Sequence, residues 1–180
     1  MPKAYSIKSS QLTIDNDTLR NKNADKASSA NGQLKVVYFP SCINQTMGLP
    51  KKSPVEQALA SKMIALLQKG GYEVILPENM EKLCCGTIWE SKGMLDIADR
   101  KSAELEAALW KASEQGRYPV LCDQSPCLHR MRETIHKMKL YEPAEFIYTF
   151  LRNRLVFTPT DRPVAVHITC SMRKMGLAGT

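Results

Sequence analysis

Leu34-Lys35-Val36-Val37-Tyr38-Phe39 is an apolar run ended by Pro40 and followed at once by Ser41 and Cys42. It is short, and rich in β-branched and aromatic residues, so it reads as a buried strand. Tyr72 to Leu76 (YEVIL), closed by Pro77, reads the same way. So do Tyr118 to Leu121, where Pro119 is tolerated at the beginning of a strand, and Val164 to Ile168 (VAVHI). Helical patterns lie between these runs. Ser53-Pro54-Val55-Glu56 predicts a helix start, with Ser53 as cap and Glu56 closing a capping box. Val55, Leu59, Met63 and Leu66 then share a face until Gly70-Gly71 stops the helix. A second helix is predicted from about Gly93 to Gly116, and a basic one from about Cys127 to Lys139. Pro143 opens another, whose buried side is Phe146, Ile147, Phe150 and Leu151.

Strands alternating with helices call for crossover connections, hence an α/β fold. The expected architecture is an open, mainly parallel sheet with helices on both faces, a Rossmann-like three-layer arrangement. Residues 1–33 are rich in Asn, Ser, Lys and Asp without periodicity, and read as a disordered tail or linker. Residues 34–163 form the expected module. In a parallel sheet the C-terminal strand ends share one edge, where ligands of open α/β folds bind. Cys42, Cys122, Cys127 and Cys170 each follow a predicted strand end, and Cys84-Cys85 lies one loop further on. Sulfur atoms distant in the chain are therefore expected to meet at one rim.

The chain has 180 residues and six cysteines. No stretch approaches the roughly 20 apolar residues of a membrane span, and no apolar leader opens the chain. A reducing cytoplasmic setting is expected, in which cysteines read as metal ligands or redox groups before disulfides. The formal net charge of +7 is spread over the surface without aromatic interleaving, so no nucleic-acid partner is expected. Arginines near the cysteines could instead offset a cluster of thiolates.

Residues 36–49 (VVYFPSCINQTMGL) align without a gap on residues 164–177 (VAVHITCSMRKMGL), with five identities over fourteen positions. This suggests a repeated module, so the chain is expected to be one module of a tandem pair, with 164–180 the start of a truncated second copy packing as the last strand.

Cys84-Cys85-Gly86 carries the chemistry. Successive side chains diverge along an extended backbone, so adjacent thiolates are awkward on one zinc ion but suit a multinuclear iron–sulfur cluster. Gly86 allows the backbone to curl there at positive φ. The C-x-x-C pairs of zinc ribbons and thioredoxins are absent. His129 and His167 are accessory candidates, each read more simply as a structural histidine. A metal-free thiol–disulfide module and a non-redox binding domain stand as alternatives.

Cys42, Cys84-Cys85-Gly86 and Ser125-Pro126-Cys127 together resemble the cysteine-rich CCG domain family. That family includes a cysteine-rich component of heterodisulfide reductase, the iron–sulfur component of glycolate oxidase, and FAD- and iron–sulfur-containing D-lactate dehydrogenases. Tyr38 to Gly48 and His167 to Gly176 look most like the D-lactate dehydrogenase branch. The resemblance covers residues 34–180 and implies a tandem domain with a cluster of 4Fe–4S type. Its metal ligands would be Cys42, Cys84, Cys85, Cys127 and Cys170. It further implies an electron relay from FAD, bound elsewhere in a parent 2-hydroxy-acid dehydrogenase, to a quinone or cytochrome, in the cytoplasm or peripherally at the inner membrane. The implied partners are the flavin-binding domain and the second module. One departure stands out: Gln124 occupies the first cysteine position of the family's C-x-x-C pair. That leaves Cys122, two residues upstream, either as a substitute or as a core residue.

Overall fold

The computed structural model describes Tyr5–Ser6 and residues 33–177 apart from positions 48, 50, 56, 160 and 162. Four strands build one sheet: β1 (Leu34–Phe39), β2 (Tyr72–Ile75), β3 (Val120–Cys122) and β4 (Leu140–Tyr141). Their order is β2-β1-β3-β4, and every neighbouring pair is parallel. The chain winds outward from β1 to β2, then crosses back to place β3 on the other side of β1. The strand order therefore reverses between β1 and β3, and the crevice beyond their C-terminal ends is where such folds hold ligands.

Alternation along the strands makes two cores. Val37 and Phe39 of β1, with Val120 and Cys122 of β3, face one side. There they meet Leu105 and Leu109 of α4 (Leu95–Ala112) and Leu128 and Met131 of α5 (Ser125–Thr134). Leu34, Val36 and Tyr38, with Leu121, face the other. They pack on Met63 and Leu67 of α2 (Leu59–Lys69) and on Phe146 and Leu151. The last two lie on α6 (Pro143–Phe146) and the π-helical turn Ile147–Leu151 that continues it. Each fully buried side chain of this kind contributes about 1.5–3 kcal/mol of transfer free energy, so the sheet is held from both faces. Helix, sheet and helix form three layers, the expected α/β arrangement.

Several expected boundaries move. The Ser53 hydroxyl accepts a hydrogen bond from Val55 N–H, only two residues on, which makes a turn and not a helix cap. The helix begins at Leu59 behind Ala58, and Val55 and Leu59 stay exposed. The second helix runs Leu95–Ala112, preceded by a separate short helix α3 (Thr87–Glu90). The basic helix ends at Thr134. The expected tail falls outside the described residues except Tyr5–Ser6, which pairs antiparallel with Thr158–Pro159, and Gln33.

The largest correction concerns Val164 to Ile168. These residues form no strand; the fourth strand is the two-residue Leu140–Tyr141. Val164 and Val166 are 56% and 81% exposed, whereas Val36, the first-copy counterpart of Val164, is 0% exposed between two parallel neighbours. An apolar strand sequence becomes a strand only where partners satisfy its backbone and cover its side chains.

A local likeness lies just beyond. Cys42 opens the five-residue helix α1 (Cys42–Thr46), and Cys170 opens the five-residue helix α7 (Cys170–Lys174). Each is capped by the residue before the cysteine. Ser41 (φ −59°, ψ 154°) accepts from Asn44 N–H, and Thr169 (φ −67°, ψ 157°) accepts from Met172 N–H. The two segments share their turn although only one has its strand in a sheet.

Candidate functional site: a file of thiols at the sheet edge

Three connections deliver cysteines to the C-terminal edge of the sheet. The β1–α1 turn brings Cys42, the loop after β2 brings Cys84 and Cys85, and the first turn of α5 brings Cys127. Neighbouring thiols interact in sequence: Cys42 with Cys84, Cys84 with Cys85, and Cys85 with Cys127. Cys85 is buried, while Cys42, Cys84 and Cys127 are half-buried. The expected meeting of distant sulfurs holds for these four. They stand as a file: no group of three or more Cys, His, Asp or Glu side chains among the described residues is arranged to hold a metal ion.

The loop carrying the central pair is pinned on several sides. Gly86 adopts φ +90°, and its N–H donates to Cys84 Sγ at 3.4 Å. The Cys85 carbonyl accepts from the buried Ser102 hydroxyl at 2.8 Å. The Cys85 thiol donates to Thr87 Oγ1 at 3.2 Å, and the Thr87 hydroxyl reaches the Pro126 carbonyl at 3.5 Å. Arg130 is buried behind Gly86; its guanidinium pairs with Glu90 and with Asp99. Those carboxylates, not thiolates, are therefore the partners of this arginine.

The electrostatics favour protonated thiols. Burial raises Cys42 above the ordinary thiol value, and Cys84 adds to it. Cys84 is raised first by its hydrogen bond with Cys85 and then by burial; Cys85 is raised first by its hydrogen bond with Cys127. Cys122 is fully buried, which raises it as well, and Asp123, Cys85 and Cys42 add repulsion. Raised folded values stabilise the fold below the ordinary thiol pKa of about 8.5, and that contribution is lost as pH rises through the folded values. Alkylation requires the thiolate. Iodoacetamide at neutral pH is therefore expected to label exposed Cys170 about tenfold or more faster than Cys84, since each pKa unit is tenfold in thiolate fraction. Peptide mapping of a labelling time course checks this, and equal rates would contradict the burial and contacts described.

The remaining candidates fall elsewhere. Cys122 closes β3 beneath the file, its thiol directed to the Gln124 carbonyl at 3.8 Å. Cys170 opens the last helix and is exposed. It lines a cavity of about 240 Å³ with Thr87, Pro126, His129, Arg130 and Lys174. His129 pairs with Glu133 one turn on, and His167 is exposed on the segment that forms no strand.

Sequence reading missed Asp123, Ser102 and Thr87. Asp123 was the one with a signal, an acid at a strand's C-terminal end beside the Ser-Pro-Cys turn. Its Oδ2 accepts from Tyr38 O–H at 2.7 Å and its Oδ1 from Ser41 N–H at 2.8 Å. Ser102 sits mid-helix, and nothing local marks it.

No family model matches this chain, and no curated protein or solved structure matches it either.

Proposed function

We propose that this chain is an electron-transfer module in which the thiolates of Cys42, Cys84, Cys85 and Cys127 hold an iron–sulfur cluster. The parent activity would be an FAD-dependent dehydrogenase of D-lactate or a related 2-hydroxy acid, delivering electrons to a quinone or cytochrome. The observation that carries the reading is the convergence of four thiols from three connections at the C-terminal edge of a parallel sheet. The parent assignment rests on the CCG resemblance alone.

The donor set suits a polynuclear centre. Four cysteine thiolates are the usual ligand number of such a centre. Gly86 N–H already donates to a sulfur, the kind of hydrogen bond that tunes such a centre, and burial of Cys85 keeps water from it. Bound there, a cluster would supply reversible one-electron transfer. The raised thiol values weigh against the metal-free alternative. Thiol–disulfide exchange needs a thiolate at neutral pH, and burial and hydrogen bonding at Cys42, Cys84 and Cys85 disfavour it. A metal cation reverses that preference, because a coordinated thiol is deprotonated outright.

Anaerobic reconstitution of the full chain with ferrous iron and sulfide tests the reading. The expected product is brown and contains iron and acid-labile sulfide. Replacing Cys84 and Cys85 together by serine is expected to lower bound iron by about tenfold or more, since even outer partners of a metal site cost 10–100-fold. Cys170→Ser is expected to retain it. Colourless, iron-free protein with fewer than six titratable thiols would favour the disulfide module instead.

A further inference from the structure

We infer that Asp123 is a positioning residue that sets the Cys42 thiol against Cys84 by tying the β1 and β3 ends together across the point where the strand order reverses. The inference rests on the meeting of the thiols and not on what they bind.

Asp123 directly follows β3, and both of its acceptor oxygens reach to the other strand. Oδ2 takes the Tyr38 hydroxyl at 2.7 Å, and Oδ1 takes the Ser41 N–H at 2.8 Å. Both donors are fully buried. Ser41 is the cap residue from which α1 departs, and Cys42 is the first residue of that helix. The carboxylate thus grips the residue whose backbone launches Cys42. Gln45 Nε2 donates to the Pro40 carbonyl at 2.7 Å and closes the turn from the opposite side. On its own strand Asp123 is joined to Cys122 and, through Gln124-Ser125-Pro126, to Cys127. One side chain therefore connects two of the three loops that bear the site's cysteines.

A carboxylate suits this task because it is a rigid two-acceptor fork that forms charge-assisted bonds with both donors. Its charge is no help to thiolate formation. Asp123 pushes the neighbouring Cys122 up, and a tuning group for anionic sulfur would have the opposite sign. Its contribution is thus geometric.

The test uses the full chain with Cys85→Ser, Cys127→Ser, Cys122→Ala and Cys170→Ser, which leaves Cys42 and Cys84 as the two remaining thiols. Dibromobimane becomes fluorescent only after both of its arms alkylate, so fluorescence reports the approach of the two thiols. Asp123→Asn is expected to keep the yield within about twofold, because the amide can accept from Ser41 N–H and donate to the Tyr38 oxygen. Asp123→Ala is expected to lower it about tenfold with an unchanged circular dichroism spectrum, since a shift on the order of 1 Å is costly to a reaction between placed groups. Should Asp123→Ala fail to fold, Asp123→Glu decides: it keeps the charge, moves the fork by one methylene, and is expected to lower the yield several-fold. Parent-like yield in folded Asp123→Ala, or in Asp123→Glu, would overturn the inference. An equal fall in Asp123→Asn would overturn it too, by making charge the cause. No iron enters this measurement, so its outcome and that of reconstitution are independent.

Discussion

Gly86→Ala is expected to lower the unfolding free energy by about 3 kcal/mol or more, adding backbone strain to a steric clash. Gly86 has φ +90°, a region costing a residue with a Cβ about 1–3 kcal/mol. An added Cβ would also stand 2.4 Å from the Ala98 carbonyl oxygen and 2.9 Å from Arg130 Nε. The first neighbour is helical backbone and the second a guanidinium gripped by two carboxylates, so neither yields freely. Overpacking of this kind typically adds about 1–3 kcal/mol. Gly93→Ala is the control. Gly93 also has positive φ, at +75°, but an added Cβ there meets nothing within 4 Å. It should show the strain without the clash. Urea unfolding separates them, with the Gly86→Ala midpoint expected about 1 M or more below that of Gly93→Ala. Equal midpoints would mean that the loop under the cysteine pair is not held against α4 as described. In the variant, Gly86 N–H also leaves its place beside Cys84 Sγ, so stability and site geometry should fail together.

What could be read in advance follows from how local each determinant is. The turn at Ser41-Cys42 needs only a hydroxyl before the helix and backbone that accepts it, and Thr169-Cys170 reproduces it in a different environment. Gly86 announced positive φ by itself. The strands β1, β2 and β3 were legible because their runs are apolar, with β1 and β3 buried on both faces and β2 partly buried at the edge, and their ends fall within two residues of expectation. Val164 to Ile168 carries the same pattern and is not a strand, because pattern specifies what a strand would bury and not whether neighbours are there. Leu140–Tyr141 fails in the opposite sense. Two residues between Lys139 and Glu142 offer no period to detect, and they pair because the β3 edge is beside them.

At the site, topology carried the prediction for four cysteines, since parallel strands must end on a common rim. Cys170 was linked to that rim through a strand that does not form, and it opens a helix beside Thr87 and Pro126 instead. The partners of the polar supports were illegible for a different reason. Ser102 and Asp123 act on residues 17 and 82–85 positions away, and only the folded chain makes them neighbours.

Arg130 provides the second large effect, and it runs against simple counting of interactions. Its side chain is 5% exposed, whereas its partners Glu90 and Asp99 are 40% and 71% exposed. The desolvation cost thus falls on the cation. Removing the carboxylates while the arginine stays leaves a buried charge with no compensation; removing the arginine leaves two carboxylates that water can solvate. The double variant Glu90→Gln with Asp99→Asn is expected to cost roughly 2–4 kcal/mol, below the upper range for broken buried pairs because Asp99 lies largely in solvent. Arg130→Met, which retains apolar volume beside Gly86, is expected to cost about 1 kcal/mol. Adding Arg130→Met to the double variant should therefore restore most of the lost stability, so that the triple variant unfolds at a higher urea concentration than the double. That reversal distinguishes a stranded charge from lost contacts, since simple loss of contacts would make the triple variant the least stable. If it were, Arg130 would be a net stabilising anchor in its own right. Restoration in the triple variant would mean that Glu90 and Asp99 serve to make a buried cation tolerable where α3, α4 and α5 close around the cysteine loop.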